Sequence, residues 1–446
     1  MQRGIASQRV VRPDGIAPAT IMFDAGVIQD VLPYRAHLTD VSDVGDLVVS
    51  PGLVDCHVHM NEPGRAEWEG FETATRAAAA GGVTSVIDMP LNSLPVTTTQ
   101  QALALKLHAS EHKRFVDVGF WGGVVPGNAP ELEKLALLGA LGCKTFLVHS
   151  GIDEFPNASE ADLRVAMPIL RDLGLPLLAH AELDLGVPQQ STEPGSPRSY
   201  HTYLASRPNS WEDEAIKLLV RLCRETRCPV HIVHLSSASS LETIRRAKDE
   251  GLPFTVETCP HYLCFAAETI PDGATEYKCA PPIRENDNRE RLWRALFEGV
   301  IDFVITDHSP CLPALKQREQ GDFAAAWGGI SSLQLGLSAI WSEARARGAT
   351  LAHLASWLSE GPARFAGLQS RKGAIKKGLD ADLVIWDPEH SFEVSPEHLF
   401  FRHKVSPYMG RTLSGLPLQT LLRSQLIYDR GSHPAGPVGK PLLHRS

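Results

Sequence analysis

The chain has 446 residues and a formal net charge of −9, long enough to bury the core of one large α/β barrel and a smaller domain. The acidic balance argues against nucleic-acid backbones as partners. Its eight cysteines are dispersed with no CxxC pair, which predicts reduced thiols in a cytoplasmic protein, and neither a secretory h-region nor an apolar run long enough for a membrane span is present in the sequence.

Residues 1–50 carry short β runs separated by Asp14-Gly15 and Ala25-Gly26, a hairpin texture. Residues 369–446 have a matching texture, including Leu383-Val384-Ile385-Trp386 and Ile427-Tyr428. Both ends are therefore expected to combine into one small β-sandwich domain. Between them, at residues 51–368, strand and helix patterns alternate. The strands are predicted at 47–54, 83–90, 116–125, 143–148, 175–180, 229–234, 254–259 and 302–307, and the helices at 69–81, 97–113, 130–141, 160–173, 211–226 and 240–250. Eight such strands predict an α/β fold, a (β/α)8 TIM barrel. A doubly wound sheet is the rival, but no Gly-rich phosphate loop follows the first strand.

Candidate chemistry gathers at predicted strand ends, where barrel active sites lie. His57 and His59 end the first strand. Two apart on a strand, they face the same side, roughly 7 Å from each other. The pair reads either as half of a metal site or as polar residues closing a strand. Lys144 lies in the fourth strand, His180 ends the fifth, His234 the sixth and Asp307 the eighth. Each has an ordinary structural explanation, as a snorkelling lysine, a core histidine or a helix cap. The coincidence on five strands favours one shared site.

The run His57-Val58-His59-Met60-Asn61-Glu62-Pro63-Gly64-Arg65 resembles the cyclic amidohydrolases, and among them the enzymes that open the hydantoin ring of allantoin. Glu67-Trp68-Glu69-Gly70-Phe71, Asp88-Met89-Pro90-Leu91-Asn92-Ser93, Lys278-Cys279-Ala280-Pro281-Pro282-Ile283-Arg284, Asp307-His308-Ser309-Pro310-Cys311 and Gly328-Gly329-Ile330-Ser331-Ser332 extend the resemblance over nearly the whole chain.

The resemblance implies a binuclear metal centre, with His57, His59 and Asp307 on one divalent ion and His180 and His234 on the other. Lys144, carboxylated on its amine, is implied as the bridge. A carbamate turns a cation into an anionic bidentate ligand, and burial would favour the neutral amine that carboxylation requires. Zinc suits the mixed nitrogen and oxygen donors, and iron, cobalt and manganese are alternatives. The implied reaction is attack of a metal-bridging hydroxide on a cyclic amide carbonyl, with Asp307 moving the proton to the leaving nitrogen. Asn61 and the backbone at Cys279, Ala280, Gly329 and Ile330 are candidate contacts to the substrate, with turn formation as their ordinary alternative. Cys279 and Cys311 read as lining residues. Segments 184–209 and 311–327 read as loops able to cover the mouth. A homotetramer is implied by the resemblance alone. The competing functions are hydantoinase or dihydropyrimidinase, dihydroorotase, and a non-catalytic relative with an assembly role.

Overall fold

The computed structural model describes residues 4–186 and 195–444. Eight parallel strands form the barrel, in chain order Leu53–Val58, Val83–Asp88, Asp117–Phe120, Cys143–Phe146, Leu177–His180, Val230–Ile232, Phe254–Thr258 and Phe303–Val304. The third strand continues through Trp121 into Gly122–Gly123, which pairs with the fourth. The ring closes where Val58 bridges His308 in parallel and the His59 amide donates to the His308 carbonyl at 2.8 Å. Residues of the first, second and fourth strands are buried throughout, so these strands read in sequence as apolar runs rather than as alternation.

The helices follow from local chemistry. Phe71–Ala80 is Ala-rich and buries Phe71, Ala74, Ala77 and Ala78. It stops at Gly81, where an added Cβ would lie 2.7 Å from the Gln334 carbonyl oxygen. Thr99 caps Gln100–Ala109 by accepting from the Ala102 amide at 3.2 Å. Ser159 and Asp162 form a reciprocal capping box on Glu160–Asp172. Asn209–Thr226 buries Ala215, Ile216, Leu219, Val220 and Cys223 on one face. After the seventh and eighth strands come helices Asn286–Phe297 and Gly336–Ala344, which the sequence reading had not placed.

Both chain ends join one eight-stranded sheet. The strands Gly4–Arg12, Gly15–Asp24 and Val27–Pro33 are antiparallel neighbours. Val48–Pro51 pairs antiparallel with the start of Leu383–Glu393, stitching the two ends together. Ile5, Val10, Ile21, Phe23, Val49, Leu383, Ile385 and Leu421 enclose a second core, separate from that of the barrel. Farther on, Pro441–Leu442 returns to the barrel and pairs in parallel with Val118–Gly119 of the third strand. This return needs Gly439, where a Cβ would overlap the Val116 carbonyl oxygen at 1.9 Å.

A buried ion cluster fastens the sheet to the barrel. Lys372 Nζ lies 2.7 Å from Asp117, 2.9 Å from Asp380 and 2.5 Å from Asp382. Asp117 opens the third barrel strand and is also bound by Arg423 and by the Lys440 amide at 2.7 Å. Burial disfavours the Lys372 charge, but the three carboxylates outweigh it and hold its pKa above the ordinary lysine value. Three carboxylates sharing one ammonium cannot lose it without leaving buried charge uncompensated. Lys372→Met is therefore expected to destabilise the chain by about 3–5 kcal/mol, seen as a lower midpoint in urea unfolding. An unchanged midpoint would remove the cluster from the account of how the sheet is attached.

Candidate metal centre

The site begins at Asp55. One of its oxygens accepts from the His57 amide at 3.1 Å, and the other from the amide and hydroxyl of Thr306. This carboxylate aligns the end of the first strand with the end of the eighth. Burial raises its pKa to about 6, against the pull of these hydrogen bonds. His57 Nε2 then lies 3.3 Å from Asp307 Oδ1, and His59 Nε2 3.6 Å from the same oxygen. On the neighbouring strands, His180 Nδ1 and His234 Nε2 face each other at 3.0 Å. The His57 and His234 rings are 5.3 Å apart. Lys144 is buried on the fourth strand, in register with Leu178, while Phe146 of that strand is in register with His180. The six residues singled out as ligands thus converge on one place.

Two of them sit in strained backbone. His234 has φ 40° and Asp307 φ 44°, in the left-handed region that side chains other than glycine rarely occupy. Such strain is tolerated where the surroundings over-determine the position, which is typical of functional sites.

The electrostatics suit a cation. Burial, the largest cause, drives all four imidazoles below the ordinary histidine pKa, so they are neutral lone-pair donors. His57 Nε2 and His234 Nδ1 are buried with no hydrogen-bond partner among the described residues. Donor atoms of His57, His234 and Asp307 lie within 4.8 Å of one another. Burial lowers the Lys144 pKa and raises that of Asp307, each opposed by the charge of the other. A buried set of neutral nitrogens, an orphaned ring nitrogen and a carboxylate fits a borderline divalent cation.

Behind the inner set stands a ring of carboxylates that sequence reasoning did not single out. Glu257, on the seventh strand, binds His57 Nδ1 at 2.6 Å, and its other oxygen lies 3.0 Å from His231 Nε2. Burial pushes its pKa up to about 8. Glu182 binds His180 Nε2 at 2.6 Å and receives both Nε and Nη2 of Arg207. Burial alone would raise its pKa, but Arg207 and His180 bring it down to about 2. The signal available in sequence was a single charged residue inside a β-branched strand for Glu257, and an acid two residues past a candidate ligand for Glu182.

The candidate substrate contacts also lie together. Asn61 is buried at φ 62°, its side-chain nitrogen donating to the Pro310 carbonyl at 3.1 Å while its Oδ1 has no partner among the described residues. Ile330 bridges His308, next to Asp307. The Gly329 amide donates to the Lys278 carbonyl at 2.8 Å, and the Cys279 carbonyl accepts from Tyr203 Oη at 2.6 Å. Ala280 follows directly on Cys279. Burial pushes the Cys279 thiol up to about 12 and raises that of Cys311, so neither is a ready thiolate.

The two expected cover segments pack on each other. Residues 187–194 of the first lie outside the described residues. The remainder is not all loop, because Tyr200–Ser206 is helical. Phe323 of the second segment lies 5.3 Å from the Tyr200 ring, and its amide donates to the Pro197 carbonyl at 2.9 Å. Trp327 meets Trp68 edge-on at 4.9 Å.

Residues 48–417 match the model of a family described as the Amidohydrolase family. The Arabidopsis thaliana protein named allantoinase is 45% identical, over 98% of this chain and 90% of its own. The allantoinase of Streptomyces avermitilis is 48% identical over 96% of this chain and 95% of its own. Among solved structures, the L-hydantoinase (dihydropyrimidinase) of Arthrobacter aurescens superposes with a TM-score of 0.92 at 29% identity, covering 99% of this chain and all of that one.

Glu257 touches the back of His57, so its effect should pass through ligand orientation. Glu257→Gln is expected to weaken metal retention by about 10–100-fold, measured as bound metal after graded chelator challenge. Retention equal to that of the unmodified chain would count against this role.

Proposed function

The chain belongs to the amidohydrolase family, and from that premise we propose that it hydrolyses the hydantoin ring of allantoin to allantoate. The observation that carries this reading is the 45–48% identity to allantoinases across almost the full chain, against 29% for the hydantoinase. In the reaction, water adds to a ring carbonyl carbon, the adjoining C–N bond breaks, and the ring nitrogen leaves with a proton.

His57, His59 and Asp307 would hold one divalent ion and His180 and His234 the other, and Lys144, once carboxylated, would supply an anionic ligand to them. Such ions, zinc in the first instance, supply Lewis acidity at the carbonyl and lower the pKa of a water to near neutrality. Burial favours the neutral Lys144 amine that carboxylation requires. Asp307 accepts the proton of the attacking water and delivers it to the leaving nitrogen. Glu257 and Glu182 hold His57 and His180 in fixed orientation from behind. The buried, unpartnered Asn61 oxygen offers an acceptor to a ring or ureido N–H.

A cytoplasmic homotetramer, with residues 1–50 and 369–446 as one small domain around the barrel of 51–368, completes the reading. No helix among the described residues is long and apolar enough to cross a membrane.

Hydantoinase activity is the second reading, supported by the structural likeness. Dihydroorotate differs in carrying a carboxylate, which an Arg fork suits and the neutral Asn61 does not. The purified holoenzyme is expected to cleave allantoin readily and dihydroorotate little or not at all, in a panel that includes hydantoin and dihydrouracil. Efficient cleavage of dihydroorotate would overturn the substrate assignment and leave the cyclic amidohydrolase. Lys144→Ala is expected to lose activity by orders of magnitude while keeping its circular dichroism, with partial rescue by short carboxylic acids. Near-normal turnover with full metal content in that variant would eliminate the carbamate bridge.

A further inference from the structure

A buried ammonium ordinarily faces a carboxylate, because removing a charge from water is costly unless it is paired. Lys316 is only 4% exposed, and among the described residues no carboxylate lies within ion-pair distance of it. Its Nζ donates instead to three backbone carbonyls, those of Lys278 at 3.3 Å, Trp327 at 3.1 Å and Gly329. An ammonium carries three N–H donors on one atom, which matches three carbonyls converging from different directions. The nearby groups that favour its charge, the thiols of Cys311 and Cys279 and the more distant Glu276, do not offset burial, which lowers its pKa.

The three carbonyls belong to two separate stretches. Lys278 precedes Cys279 and Ala280, in the segment after the seventh strand. Trp327 and Gly329 precede Ile330, in the segment that returns after the eighth. The Lys278 carbonyl also accepts from the Gly329 amide at 2.8 Å. Gly329 sits at φ 134°, and a Cβ there would lie 2.4 Å from the Ser309 carbonyl oxygen, two residues past Asp307. The Ser309 amide donates to Ile330 at 3.0 Å. Lys316 therefore grips a peptide already pressed against the ligand loop, and ties it to the opposite stretch.

We propose that Lys316 is a positioning residue that fixes Lys278–Ala280 against Gly329–Ile330 and so sets the width of the slot that takes the cyclic amide. This rests on the proposed function, which puts those two stretches at the edge of the substrate ring. Lys316 touches neither the ligand residues nor the reacting atoms, so its removal acts on substrate fit and leaves the metal centre in place.

The test uses the holoenzyme. Lys316→Met keeps the stem and removes every donor, and Lys316→Gln keeps two donors on a shorter stem. Lys316→Met is expected to raise KM for allantoin by about tenfold or more, with kcat changed by less than about threefold, as for lost ground-state positioning. Metal content stays the same, and Lys316→Gln gives a smaller rise in KM. Amide hydrogen exchange at Gly329 is expected to quicken in both variants, a readout that does not depend on the substrate. Should Lys316→Met fail to fold, Lys316→Gln carries both measurements. Unchanged KM with unchanged exchange overturns the proposal, as does a joint fall in kcat and metal content at constant KM. If the unmodified holoenzyme opens a different cyclic amide, the substrate reading fails, and the same KM comparison on that amide still decides the role of Lys316.

Discussion

Asp55 joins the first barrel strand to the eighth, and the arrangement of the site follows from that join. Its two oxygens take three hydrogen bonds, from His57 and Thr306, so a buried carboxylate is satisfied only when the two strands stand in one register. That register sets His57 and His59 against Asp307. It also places the His308 carbonyl to receive the His59 amide, which closes the ring. A β register can slip only in whole residues, and a one-residue slip would turn both imidazoles away from the barrel axis. The placement of His57, His59 and Asp307 and the closure of the fold are thus determined by the same few atoms.

Two of the candidate ligands, His57 and His180, are oriented from behind by acids that do not reach the centre. Glu257 and Glu182 each take one ring nitrogen of an imidazole and leave the other facing inward. The two acids differ in state because their other partners differ. Arg207 compensates Glu182 with two donors, while Glu257 meets His57, His231, the Cys56 thiol and the His234 backbone, and burial outweighs these and the Lys144 charge in its proton affinity.

Much of this was legible in the sequence, because apolar β-branched runs and capped, Ala-rich or amphipathic stretches announce their own conformation. Seven of the eight barrel strands fall within the predicted runs, shortened at their ends; the first predicted run, 47–54, instead splits into Val48–Pro51 of the sheet and the start of Leu53–Val58 of the barrel. The candidate ligands stand out as polar groups in or at the ends of these runs. What could not be read depends on long-range partners. Glu257 looks like an acid in a strand until His57 and His231 are brought beside it. Lys372 and Lys316 look like surface lysines, since nothing local tells that one will meet three carboxylates and the other three carbonyls. The helix Tyr200–Ser206 was read as loop because its seven residues are stabilised by packing of Tyr200 and Tyr203 on Phe323, far along the chain. Pro441–Leu442 carries too little local signal for a strand, and only the open flank of Val118–Gly119 makes it one.

That last strand ties the timing of assembly to synthesis. A chain emerging from the ribosome holds all eight barrel strands once residue 304 is out, yet the flank of the third strand stays open until residues 441–442 arrive. Val48–Pro51 likewise waits for Leu383–Trp386. Domains made during translation generally fold from the N-terminus onward, but here the barrel and the sheet both await residues made late. Until those residues are made, these two strand edges lack their partners, so slower translation lengthens the time for which they are open to another chain.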